Sequence, residues 1–181
     1  MSYPPAYYHI PPGFDVYDND QVSVSHTHEQ IHQGEASVVS MVVTMTAEST
    51  MQCQITTPAS PIRIHFVLNC QASGNGITVT FYEGCQSTSG TPVAIMNRNR
   101  NSAKVTGATF VHTPAVSTTG TAIYTTYLAA SKQGGSVDHG TDEFVLLPNT
   151  RYLINLTVDA GQSAVFAGRG EWYETDTNYG E

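Results

Sequence analysis

The apolar positions along this chain repeat every second residue far more often than every third or fourth. Residues 62–68 place Ile62, Ile64, Phe66 and Leu68 on one face, and residues 77–82 do the same with Ile77, Val79 and Phe81. Period two is the mark of a half-buried strand. Residues 36–46 are rich in Val, Thr and Met and poor in helix formers, so they also read as a strand. Residues 53–57, 109–113, 122–128, 144–147, 152–158, 164–166 and 170–174 complete the set. Gly120 and Pro148-Asn149 supply turns between neighbours. Residues 69–76 and 84–92 read as a turn cluster and a loop. The pattern predicts an all-β fold of about eight or nine strands with no helix, a jelly-roll or Greek-key β-sandwich.

The first twenty residues break the pattern. They carry four of the nine prolines and four of the ten tyrosines. Paired prolines oppose both helix and sheet ladder and favour extended geometry. Yet Tyr3, Tyr7, Tyr8, Phe14 and Tyr17 are too apolar for a solvated linker. The reading is an extended N-terminal arm over residues 1–21 that lies on a neighbouring molecule, each tyrosine burying its ring while its hydroxyl stays hydrogen-bonded. A plain disordered terminus is the competing reading. The β-sandwich then occupies residues 22–174, and residues 175–181 form a short acidic tail.

Composition narrows the function. Apolar residues and glycine together reach about 48%, the ordinary globular range. Charged residues are only 12%, so the surface is built from Ser, Thr, Asn and Gln. Seven basic against fifteen acidic residues give a net charge of -8. That disfavours nucleic acid and anionic membranes as partners, since both need a basic patch. No apolar run is long enough to cross a bilayer as a helix. The first residues lack a basic n-region and an apolar h-region, so synthesis in a cytosol without a secretory signal is expected. Cys53, Cys70 and Cys85 are odd in number and form no CxxC pair, which reads as free structural thiols.

Few residues suggest chemistry. His26, His28 and His32 are the only cluster with metal-ligand character. A His-x-His strand would put His26 and His28 on one face, about 6.5–7 Å apart, as in metal-binding cupins. A cupin would place a Glu four or five residues on, whereas Glu29 is adjacent to His28 and Glu35 is seven away, and the glycine pattern is missing too, so the expectation is no metal, no cofactor and no enzyme. No nucleophile elbow or phosphate loop is present. Asp138, His139, Asp142 and Glu143 read as a solvated loop. The stretch 97–101, Asn-Arg-Asn-Arg-Asn, is the most distinctive. Arg98 and Arg100 are two of only seven bases, and arginine forks suit carboxylates on a partner or on the chain's own acidic end.

Four blocks together resemble a family of tailed-bacteriophage head proteins, the decoration or minor head proteins. They are residues 28–36, residues 79–84, residues 97–102 with 112–114 and 120–121, and residues 143–153 with 171–174. The resemblance spans about residues 28–174 and omits the arm. It implies a capsid cement protein on the outer surface of the virion, made in the host bacterial cytoplasm. Its partners would be the major capsid protein and further copies of itself, a trimer rather than a dimer, with no direct contact to nucleic acid or membrane. Tyr3, Tyr7, Tyr8, Phe14, Tyr17, Arg98 and Arg100 are the expected interface residues. Three alternatives stand beside it: a receptor- or glycan-binding module using Tyr124, Tyr127 or Trp172, a metal-dependent cupin-like enzyme, and a structural protein elsewhere in the particle.

Overall fold

The computed structural model describes residues 25–137 and 143–176. Fourteen strands and one helix lie among these residues. In chain order they are α1 (His26–Gln33), β1 (Ala36–Met45), β2 (Thr50–Thr56), β3 (Arg63–Gly74) and β4 (Ile77–Glu83). Five short strands follow: β5 (Gln86–Thr88), β6 (Thr91–Pro92), β7 (Met96–Asn97), β8 (Thr109–His112) and β9 (Ala115–Thr118). The last five are β10 (Thr121–Leu128), β11 (Ser131–Val137), β12 (Glu143–Leu146), β13 (Arg151–Val158) and β14 (Ala164–Thr175).

The strands form two packed sheets. The first runs β11-β3-β14-β1-β7, with β12 also on β3. The second runs β10-β4-β13-β2-β8-β6, and β5 pairs with β9 in a separate ribbon. Successive long strands switch sheets at every step but one, β4 to β10, which pair within the second sheet: β1, β3, β11/β12 and β14 lie in one, β2, β4, β10 and β13 in the other. That alternation is the double Greek key of a jelly roll. The predicted all-β sandwich is therefore the observed architecture.

The sequence periodicity maps onto the core. Ile64, Phe66, Cys70 and Ala72 of β3 face Ile77, Val79 and Phe81 of β4 and Leu156 and Tyr152 of β13, all buried. Phe66 is the hub. Its ring lies 5.6 Å from Phe81 and 6.3 Å from Trp172, and Phe81 continues to Tyr152 at 5.5 Å and Phe144 at 5.6 Å. Gly170 is required opposite this hub, because a Cβ there would sit 3.0 Å from the Phe66 ring. Aromatic pairs at these separations add about 0.5–1.5 kcal/mol beyond their buried area.

Several expectations need correction. Residues 69–74 continue β3 rather than turning, because β14 pairs with β3 along its full length to Gly74. The segments 164–166 and 170–174 are one strand, since Ala167, Gly168 and Arg169 keep pairing with both β1 and β3. The loop 84–92 holds the short strands β5 and β6. Residues 26–33 form a helix, against the expectation of none. Ser25 caps it by accepting a hydrogen bond from the His28 amide at 3.3 Å, and Gly34 ends it in the left-handed region at φ 77°. The N-terminal arm, and with it Tyr3, Tyr7, Tyr8, Phe14 and Tyr17, lies outside the described residues, as do 138–142 and 177–181.

Candidate functional site

Strand alternation sends every second side chain of the first sheet outward. The cross-strand rungs on that outer face are His65–Tyr173–Ala36, Val67–Glu171–Val38, Asn69–Arg169–Ser40 and Gln71–Ala167–Val42. All of these but Val38, together with Arg98 from the loop after β7 and Glu143 from β12, line an open groove of about 740 Å³. Three strands far apart in sequence thus deliver one surface of mixed charged, polar and aliphatic side chains.

Two charge clusters sit in the groove. Glu171 receives Arg98 Nη1 at 2.7 Å on one carboxylate oxygen and Arg169 Nε at 2.9 Å on the other. Asn69 Nδ2 donates to the same carboxylate at 3.4 Å, while Asn69 Oδ1 is buried with no hydrogen-bond partner. The second cluster is His65, Glu143 and Tyr173. Glu143 Oε1 lies 2.7 Å from His65 Nδ1 and accepts from the Tyr173 hydroxyl at 3.0 Å. The His65 and Tyr173 rings stack at 4.4 Å and 10°. Burial, and then the carboxylate beside it, push the Tyr173 hydroxyl well above the usual tyrosine range, so it stays a donor. Glu143 is thereby part of a hydrogen-bonded cluster, not the solvated loop residue expected.

The stretch 97–101 proves to be a clamp. Asn97 Nδ2 donates to the Gly34 carbonyl at 2.7 Å and the Lys104 carbonyl at 3.1 Å, and its Oδ1 accepts the Asn99 amide at 2.8 Å. Asn99 Nδ2 reaches the His32 carbonyl at 3.0 Å. Lys104 pairs with Glu35. Glu174 accepts from the Gly107 amide at 3.0 Å and from Thr106, and Trp172 Nε1 donates to Thr106 at 3.2 Å. The asparagines thus satisfy open backbone groups at the end of α1. Sequence reasoning gave weight to the arginines and missed this role.

The two arginines do not act alike. Arg98 grips Glu171, which lies within β14 and not in the acidic tail, so Arg98 is internal. Arg100 is exposed and, among the described residues, reaches only the Asn97 carbonyl, at 3.5 Å. The three histidines separate as well. His26 rests edge-on against Tyr173 at 5.2 Å, whereas His28 and His32, one helical turn apart, meet with their Nε2 atoms 2.9 Å apart. The strand face proposed for His26 and His28 does not exist, because the segment is helical. Among the described residues no group of three or more His, Cys, Asp or Glu side chains is gathered that could hold a metal.

The aromatic candidates scatter. Trp172 is in the core, Tyr124 packs edge-on against Phe144 at 5.8 Å, and Tyr127 is exposed with its hydroxyl donating to Asp159 at 2.6 Å. The three cysteines are free and buried. Burial pushes the Cys53 and Cys70 thiols up to about 12, which makes them poor nucleophiles. No helix among the described residues is long and apolar enough to cross a membrane.

His65, Asn69, Arg169 and Tyr173 escaped the sequence reading. The one available signal was alternation: most residues at every second position of β3, and of β14 from Arg169 onward, are polar and mark their outer face. Nothing local indicates that the two faces adjoin. Comparison with protein-family models, with characterised proteins and with solved structures finds no match to this chain.

Proposed function

We propose that this protein is a structural virion protein, a capsid decoration protein that binds the outer face of a phage major capsid lattice and stabilises the head. The reading starts from the four sequence blocks that resemble such proteins. The observation that carries it is where those blocks lie. Residues 28–36, 97–102 and 171–174 meet at one corner of the sandwich. They are joined by the Asn97–Gly34 and Asn99–His32 bonds, the Arg98–Glu171 pair and the Glu174 amide donating to the Glu35 carbonyl at 3.3 Å. Segments distant in sequence that build one corner behave as a unit of the fold, which supports reading these three together.

The surface also offers apolar contact to protein on both faces: Val42 and Val165 on the first sheet, Val145 on β12, Ile123 and Tyr127 on β10 of the second sheet, and Val105 and Leu147 in loops. Decoration would then act by mass action. A protein that binds the mature lattice better than the broken one stabilises it by that difference in affinity. The arm at residues 1–21 would add contact area at the cost of its own ordering. Arg100 is the arginine free to face a partner, whereas Arg98 serves the protein's own fold. Partners are the major capsid protein and other copies of this chain, a trimer in preference to a dimer.

The test is co-sedimentation with capsids stripped of the protein, using the full chain and a chain lacking residues 1–20. Saturable binding at a fixed ratio to the capsid subunit is expected, weakened by the truncation. No binding to any capsid form would overturn the proposal. A second reading, a glycan-binding module, is favoured by the groove alone. Its unpartnered Asn69 acceptor and its Arg and Glu side chains match the hydrogen-bonding needs of sugar hydroxyls.

A further inference from the structure

We infer that His28 and His32 form a bidentate site for a divalent transition-metal ion of tetragonal preference, Cu2+ or Ni2+, on the solvent side of α1. The two residues sit one helical turn apart, the spacing at which side chains meet on one face. Their Nε2 atoms are 2.9 Å apart and their ring centroids 4.6 Å apart. Both residues are exposed, so a hydrated ion can reach them.

The 2.9 Å separation is that of a hydrogen bond between the two rings, which turn when an ion replaces the shared proton, so the ligand type selects the ion. Two neutral imidazoles completed by water bind Cu2+ most tightly among the divalent first-row ions and suit the tetragonal geometry of Cu2+ and Ni2+. In the metal-free pair one Nε2 carries a proton that the other accepts. On binding, that proton moves to Nδ1 of the same ring, so both rings stay neutral and both Nε2 lone pairs turn to the metal. Water fills the remaining positions.

The backbone beneath the pair is already fixed. Ser25 caps the start of α1, Gly34 closes its end, and Asn99 holds the His32 carbonyl. Only side-chain rotations remain to be ordered, which favours binding. Neighbouring groups are committed elsewhere. His26 rests on Tyr173, and Glu29 accepts from Gln33 at 3.0 Å. Among the described residues the site is therefore two imidazoles and solvent.

The experiment uses the full chain without a histidine tag in a non-coordinating buffer. Cu2+ is titrated by calorimetry, and the loaded protein is examined by electron paramagnetic resonance. The expected result is one equivalent of Cu2+ with an axial spectrum showing coupling to two nitrogens. His28→Gln and His32→Gln should each weaken binding by about tenfold or more, since each removes one of two imidazole ligands, while His26→Gln leaves it unchanged. The substituted side chains are exposed, and retained thermal midpoints without metal will show that the variants fold. Wild-type affinity in both His28→Gln and His32→Gln overturns the inference. So does a spectrum without nitrogen coupling, or tighter binding of Zn2+ than of Cu2+.

Discussion

Replacing Arg98 and Arg100 separately tests which arginine the fold itself uses. Arg98 meets Glu171 at 2.7 Å, with the two side chains 26% and 17% exposed. A hydrogen bond to a charged group in such a half-buried place is worth about 1.5–3 kcal/mol net, against about 0–1 kcal/mol for a fully exposed pair. After Arg98→Ala the Glu171 carboxylate keeps Arg169 at 2.9 Å and the weaker Asn69 contact, so no charge is orphaned. That places the loss near the lower end, about 1.5–2 kcal/mol. Arg100 has one long bond to its own loop and stands in solvent, so Arg100→Ala should stay within about 0.5 kcal/mol. Urea unfolding reads the difference directly. With a slope of about 2 kcal/mol per molar, the midpoint falls by about 0.8–1 M for Arg98→Ala and by less than about 0.3 M for Arg100→Ala. In 1 M salt the Arg98 deficit should shrink but persist, because a half-buried pair is only partly screened. Equal losses for the two variants, or an Arg98→Ala loss below about 0.5 kcal/mol, would refute this assignment. The result also governs any capsid-binding assay, since only the Arg100 variant would report on a partner without disturbing the fold.

Two further outcomes follow from buried groups. Tyr152→Phe should cost about 1.5–3 kcal/mol, because the buried hydroxyl accepts from the Leu147 amide at 2.8 Å and donates to Glu83 at 2.8 Å. The Phe81 stack survives the change, and a double-mutant cycle with Glu83→Gln that shows no coupling would contradict the account. The Cys53 and Cys70 thiols are raised from 9.0 to about 12 in the folded state, so the folded protein holds protons that the unfolded chain releases. Their contribution is fully present below pH 9 and is lost as pH rises through 12. Between pH 8 and pH 10 the two thiols together remove about 3 kcal/mol of stability. Urea midpoints that stay flat over that interval, or native-state thiolate absorbance growing in below pH 10, would show the thiols to be accessible.

The sequence by itself determined the class of fold. Alternation in residues 62–68 and 77–82 is enough to place Ile64, Phe66, Val79 and Phe81 inside, because a period of two leaves a strand only one way to bury its apolar face. It also exposed a chain with few charges and cysteines without a pairing pattern. A helix at His26–Gln33 was legible in the Ser25 and Gly34 caps, but the His-Thr-His motif drew attention to strand spacing instead. Other features could not be read locally. The join of residues 164–175 into one strand depends on pairing with β1 and β3, which carries β14 through Gly168 and Gly170, residues of poor strand propensity. The groove depends on the register that sets Asn69 beside Arg169 and His65 beside Tyr173, about a hundred positions away in the chain. The separate fates of Arg98 and Arg100 rest on a loop conformation fixed by the Asn97 and Asn99 side chains and by their contacts to the end of α1. Hydrophobic period is a property of neighbours along the chain, whereas a site assembled across strands is a property of register and topology, which only the packed sandwich fixes.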